Sequence, residues 1–344
     1  MSDTPELLLH IGAGKTGSTS IQFTLRHNAK ALIAQDCRYA GLMLEQLTQE
    51  GQFDWSVNRA PQKYFRTKEP ERVDDEVYTF MRDKLEQLGR KGYRQVIWSN
   101  EAFLTRHGRI IHIIKRLADD GVAVRPVCYV RRHDKWARSV YVQNAIKFKP
   151  YRGRIKSFDE WAPDSITGYS ESLARWARLF PNIETYNFDA IDDVAAHFFE
   201  LAGLEPVPTI RANVAPSNAV LAAWAVFNNK FAGQVMPTEF LDTGRRLGIM
   251  PNEDRSCLPI EDLLPSVEQL QKFQDSQADD LEYVNTLLTE RGEPALEFHQ
   301  PEDKPRKASD WEMNRLLLQM IYALQEQVVE LEEKLDRVSA EENE

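Results

Sequence analysis

The chain has 344 residues, 42% of them hydrophobic and 28% charged, with a formal net charge of −10. That length buries one large core, or a core plus an appendage, and no run comes near the 18 apolar residues of a spanning helix, which argues against a membrane span. Acidity is concentrated from Glu326 onward, where eight acids face only Lys334 and Arg337, and no domain-wide basic face points to nucleic acid as a partner.

The first predicted element is an apolar strand over Leu7, Leu8, Leu9 and Ile11. It begins so early that no signal peptide or stalk is expected before it. Gly12, Gly14 and Gly17 follow, interleaved with Lys15, Thr16, Ser18, Thr19 and Ser20, and Ile21 to Leu32 reads as a helix. A strand that feeds a glycine-rich turn and a helix N-terminus makes an anion site. Free backbone N–H groups and the helix dipole supply positive potential, and hydroxyls and a lysine complete the cradle. The expected ligand is a phosphate or sulfate ester. The alternative is a plain Gly/Ser/Thr turn capping a helix. A nucleotide-triphosphatase loop needs a glycine five positions before Gly14, where this chain has Leu9.

Residues 36–72 read as loop-rich, with aromatic side chains at Tyr39, Phe53, Trp55, Tyr64 and Phe65. Val73 to Leu88 has helical periodicity and stops at Gly89. Tyr93 to Trp98 reads as a short buried strand ending in Ser99-Asn100-Glu101, followed by a helix over 108–119. A carboxylate at a strand's C-terminal end opens into the crevice where ligands bind in parallel sheets, so Glu101 is a candidate general base. The competing reading makes Glu101 a cap for a helix from Ala102. His107 is the second candidate base, whereas His10 and His133 read as structural.

Val122 to Val130 reads as a strand, continued by Arg131-Arg132-His133 and a helix through Ile146 that carries Ser139. Lys147 to Lys156 then places five cations in ten residues without one acid, which reads either as a mobile anion-gathering loop or as a solvated surface loop. A helix over 169–180 with Trp176 inward, a strand over Ile183–Phe188 and a helix over 192–203 follow. Arg211 and Asn213 lie just before a helix starting near Ser217, and 218–290 reads as a mostly helical lid or flank.

Residues 301–310 read as a linker and 311–340 as a coiled-coil helix. Ile321, Val328 and Leu335 take one seam position, and Leu317, Leu324, Leu331 and Val338 the other. Largely β-branched residues at the first and leucines at the second favour a parallel two-stranded coiled coil, hence a homo-oligomer through 314–338. Cys37, Cys128 and Cys257 stand far apart without metal-type spacing, so neither disulfides nor a metal is expected and the chain reads as cytoplasmic.

The Lys15-Thr16-Gly17-Ser18-Thr19 pattern behind a first strand resembles the 5′-phosphosulfate loop of sulfotransferases that use 3′-phosphoadenosine 5′-phosphosulfate (PAPS). In that family an arginine at a strand's end and a serine eight positions later hold the nucleotide's 3′-phosphate; Arg131 and Ser139 stand at that spacing. The family often has Asn-Pro after the arginine, where this chain has Arg132-His133. The family's acceptor base, a His or Glu at the end of the preceding strand, matches Glu101.

The resemblance covers residues 7–230. It implies an α/β fold of three layers, α/β/α, around a parallel sheet (P-loop-like), within a domain spanning 1–300. It implies PAPS as cosubstrate and sulfuryl transfer to a hydroxyl or amine, with Lys15 and Glu101 catalytic. Gly14, Lys15, Thr16, Gly17, Ser18, Thr19, Ser20, Arg131 and Ser139 would hold the nucleotide, with Arg211 and Asn213 assisting. A carbohydrate acceptor is the first expectation. The alternatives are a nucleotide kinase with a similar loop, and a non-catalytic nucleotide-binding scaffold that oligomerises through its coiled coil.

Overall fold

Leucines 7 to 9 give the first strand both of its faces, and all three are fully buried. A computed structural model of the chain describes residues 4–57, 62–105, 107–166, 168–212, 216–229, 231–240, 260–297 and 307–341. Asn213, Cys257 and the segment 301–306 lie outside these, as do the side chains of His107, Leu335 and Val338.

Five strands make one sheet: β1 (Glu6–His10), β2 (Cys37–Tyr39), β3 (Gln95–Ser99), β4 (Val124–Val130) and β5 (Glu184–Asn187). All pairings are parallel and the order is β2-β3-β1-β4-β5. Helices α1 (Ser18–His27) and α2 (Ala29–Ile33) carry the chain from β1 past β3 to the edge strand β2. Helices α3 (Gln62–Phe65) and α4 (Pro70–Arg90) lead back to β3, and α5 (Ala102–Thr105) and α6 (His107–Asp119) carry the chain over β1 to β4. Departures from β1 and from β3 therefore run in opposite directions. In open parallel sheets such a reversal leaves a crevice at the C-terminal ends of the two strands.

One face packs Leu8, Ile97, Val127 and Tyr129 against Ile21 and Leu25 of α1 and Phe198 of α10 (Val194–Leu201). The opposite face presents Leu7, Leu9, Val96 and Trp98, all fully buried. There Trp98 meets Phe103 edge-on, and the indole N–H of Trp176, in α9 (Ser170–Leu179), donates to the Phe103 carbonyl at 3.2 Å. Burial on both faces is what apolar parallel strands require.

The chain divides into two compact units, and the first (Met1–His133, Gly168–Val214, Gln277–Phe298) holds the whole sheet. The second comprises Asp134–Thr167, Ala215–Ser276 and His299–Glu344. Within the second, α7 (His133–Tyr141, from Asp134 onward) runs into a π-helical turn, Val142–Lys147. Asn228 of α11 (Asn218–Asn229) seals that turn by donating to the Ile146 carbonyl at 2.6 Å. Tyr141 packs edge-on to Phe158 and Trp161 of α8 (Phe158–Ser165) and donates to the Lys156 carbonyl at 2.8 Å.

The terminal helix, Asp310–Glu341, packs against α11. Met313, Leu316, Met320 and Leu324 are partly buried, while Leu317, Ile321, Val328 and Leu331 are exposed. No helix among the described residues is long and apolar enough to cross a membrane.

The sequence reading differs in places. The expected helix over 21–32 is two helices that break at Asn28, whose amide donates to the Thr24 carbonyl at 2.9 Å. The loop-rich stretch 36–72 contains β2, too short at Cys-Arg-Tyr to leave an alternating pattern. The cations of 147–156 are mostly engaged within the chain. Lys147 lies over the Trp224 ring, Arg154 pairs with Glu160 at 2.7 Å, and Lys156 lies over Tyr151. Lys149 is fully buried and its ammonium meets the carbonyls of Tyr151, Gly153, Phe231 and Gly233. Burial lowers its pKa, and the ring of carbonyl dipoles replaces the lost water.

Candidate functional site

The turn after β1 is shaped by left-handed backbone. Gly12, Lys15 and Gly17 have φ of 49°, 73° and 80°, and Gly17 caps α1. A side chain at Gly17 would put its Cβ 2.5 Å from Val194 Cγ1 and 3.0 Å from Phe188 Cε2. One at Gly12 would stand 3.0 Å from both Glu101 Cα and Ser18 Oγ. Glycine at these two positions is therefore a requirement of close approach as well as of φ. The turn sits against the end of β3 on one side and the segment after β5 on the other.

The hydroxyls of the turn have different duties. Thr16 is fully buried and its hydroxyl donates to the Ala13 carbonyl. Ser20 accepts from the Ala212 N–H at 3.0 Å, and its own N–H donates to the Gly17 carbonyl at 2.9 Å. Ser18 Oγ is buried and has no hydrogen-bond partner among the described residues. Gly14, Lys15 and Thr19 are partly exposed.

Glu101 lies in the turn between β3 and α5. The helix-cap reading does not apply to it: the Phe103 and Leu104 N–H groups donate to the Asn100 and Ile11 carbonyls, each at 3.1 Å. The Glu101 carboxylate instead accepts from the Gln22 amide of α1 at 2.8 Å. Gln22 Nε2 also lies 3.4 Å from Ser99 Oγ, which meets His10 Nδ1 at 2.7 Å. His10 and Ser99 are register partners of β1 and β3. Burial drives the His10 pKa down to about 3, so the imidazole at the base of this row is neutral at ordinary pH. A polar row thus runs from the sheet interior to the carboxylate.

Arg131 follows β4 directly. Its guanidinium lies 5.4 Å from the centre of the Phe188 ring, and its Nε lies 3.4 Å from Asp189. The Arg132 N–H donates to the same carboxylate at 2.8 Å, and the Arg132 side chain is buried. Phe188 is also the ring that Gly17 abuts. One aromatic side chain therefore bridges the two anion-binding elements expected from the sequence. Ser139 lies on α7 in the second unit and is partly exposed.

Arg211 is exposed, and its side chain reaches the Asp192 carbonyl at 3.3 Å. Its segment is laid along α1 by three side chains spaced one turn apart. Asn28 donates to the Pro208 carbonyl, Thr24 accepts from the Ile210 N–H, and Ser20 accepts from the Ala212 N–H. This row ends at the turn, which places Arg211 beside the start of α1. Asp193 caps α10 through the N–H groups of Ala195 and Ala196 and accepts from Thr209. Against the burial that would raise it, these bonds hold its pKa below the ordinary carboxylate value.

Gln22, Phe188 and Asp189 escaped the sequence reading. The i, i+4, i+8 spacing of Ser20, Thr24 and Asn28 was a usable signal for the docked segment, since it puts three small polar groups on one helix face. Chemically, the assembly offers a helix N-terminus with an unpartnered hydroxyl, a lysine in the loop, a hydrogen-bonded carboxylate and a guanidinium on the neighbouring strand. No family model matches the chain, and neither a curated protein nor a solved structure matches it.

Proposed function

We propose that the chain is a sulfotransferase that moves a sulfuryl group from PAPS to a hydroxyl, or an amine, of a carbohydrate acceptor. One observation carries this reading: the Gly12–Ser20 turn, the Gln22-held Glu101 and Arg131 meet at the C-terminal ends of β1, β3 and β4, with Phe188 joining turn and arginine. The resemblance of the Lys15 loop and the Arg131 strand to the PAPS-dependent enzymes supplies the nucleotide class. The donor set fits a phosphate ester, since Ser18 Oγ is a buried hydroxyl with no hydrogen-bond partner among the described residues, beside a helix N-terminus.

In this reading Gly14, Lys15, Gly17, Ser18 and Thr19 hold the 5′ end of the nucleotide and Arg131 its 3′-phosphate. Thr16 shapes the turn, and Ser20 fixes the Arg211 segment. A bond forms between the acceptor oxygen and sulfur as the bond from sulfur to the bridging phosphate oxygen breaks. The acceptor's proton passes to Glu101, and Lys15 offsets the charge arriving on the departing phosphate. Positioning and charge neutralisation supply the catalysis, as in phosphoryl transfer.

The reading is tested by thermal-shift and calorimetric binding of adenosine 3′,5′-bisphosphate against ADP and ATP. Preference for the bisphosphate supports it. Magnesium-dependent preference for ATP would replace it with a kinase reading.

We also propose that two copies pair through 314–338, because the exposed Leu317, Ile321, Val328 and Leu331 form the heptad seam that α11 leaves uncovered. Sedimentation of the full chain should show a dimer, and Ile321→Lys with Val328→Lys a monomer. A wild-type monomer overturns the pairing.

A further inference from the structure

We infer that Asp280, far from the loop in sequence, is a positioning residue that sets Arg131 for the 3′-phosphate; this rests on the nucleotide reading above. Asp280 is buried on the helix Ala278–Thr289. Its carboxylate accepts from His133 Nε2 at 2.7 Å, from the Tyr169 N–H at 2.9 Å, and from the Ser170 N–H. Gly168 is held so close that a Cβ there would lie 2.4 Å from Asp280 Oδ1. The Tyr169 hydroxyl then donates to the Arg131 carbonyl at 3.1 Å, and the Tyr169 and His133 rings lie 5.2 Å apart.

These contacts gather three separate stretches of chain at one buried carboxylate. His133 is the last residue of the first unit before the chain leaves it, Gly168 opens the return, and Gln277 opens the third stretch. The main chain at Arg131 is fixed from both sides, with Asp189 holding the Arg132 N–H and Tyr169 holding the Arg131 carbonyl. A guanidinium is a useful fork for a phosphate only when its root is fixed, because its donors are planar and directional. A carboxylate that accepts two backbone N–H bonds and an imidazole serves the arginine through the backbone.

The test measures calorimetric affinity of the full chain for adenosine 3′,5′-bisphosphate and for AMP, which lacks the 3′-phosphate, in wild type, Tyr169→Phe and Asp280→Asn. Thermal melting followed by circular dichroism accompanies each. Wild type should prefer the bisphosphate by about tenfold or more, as expected for a charged hydrogen-bonding contact. Both variants should lose most of that preference while AMP affinity stays within about twofold, a split that general destabilisation does not produce. Where Asp280→Asn fails to fold, Tyr169→Phe decides, since it removes one hydroxyl. Wild-type preference retained in the folded variants overturns the Asp280 role and leaves the nucleotide reading standing. Equal wild-type affinities overturn the nucleotide reading, and this inference with it.

Discussion

The chain has one short segment rich in glycine and another rich in cations, and their donors are arranged differently. In the Gly12–Ser20 turn, three residues take left-handed backbone, the neighbours press against Gly12 and Gly17, and a buried hydroxyl has no hydrogen-bond partner among the described residues. In the Lys147–Lys156 loop four of the five cations are engaged within the chain, two over aromatic rings, one on Glu160 and one in a ring of carbonyls. Local charge is the property that a sequence displays most openly, and here most of the loop's charge is taken up inside the chain. What distinguishes an anion site is which donors the fold leaves unsatisfied.

The sharpest way to break this contrast is at the turn. Lys15→Ala should lower release of adenosine 3′,5′-bisphosphate from PAPS by roughly 10²- to 10³-fold, the scale of losing one preorganised donor. Glu101→Gln should lower it by about 10²-fold or more with bisphosphate affinity nearly unchanged. Unchanged turnover in either variant would remove that residue from the chemistry. Lys149→Met should act on the fold instead. It strands several buried carbonyls and should lower the urea-unfolding free energy by about 3 kcal/mol, with bisphosphate affinity of the folded protein retained. A loss of affinity at full stability would mean that the basic loop binds anions after all.

Acid distinguishes the two regions further. His10 has its pKa lowered to about 3 by burial, so the unfolded chain takes up its proton first as pH falls. Its contribution is present above about pH 6.5 and is lost as pH drops toward 3, at roughly 1.4 kcal/mol per unit. Stability measured against pH should show this early decline, and His10→Asn should flatten it. Arg154→Ala marks the small end, since its exposed pair with Glu160 should contribute less than about 1 kcal/mol to the urea-unfolding free energy.

Much of the sheet was legible because its strands are apolar on both faces. Leu7–Leu9, Val96–Trp98 and Val127–Val130 lie where periodicity put them, and the helices between them make the pairings parallel, but the strand order was not legible. β2 was not legible, since three residues on the sheet's edge carry too little pattern. In the candidate site, the turn and Glu101 announced themselves by residue type and position. Gln22 did not, because a glutamine on a helix looks the same whether it meets water or a carboxylate 79 positions away. Lys149 is the same lesson reversed: its four acceptors are backbone carbonyls, which every residue owns and no sequence advertises.

The contact of Gly17 with Val194 and Phe188 has a consequence for how this protein can vary. Because the turn has no spare room there, a bulkier residue at 188 or 194 transmits its size straight into the loop, without passing through the sheet. Positions 17, 188 and 194 should therefore drift together over generations or stay as they are, although more than half of the chain's length separates the first from the last.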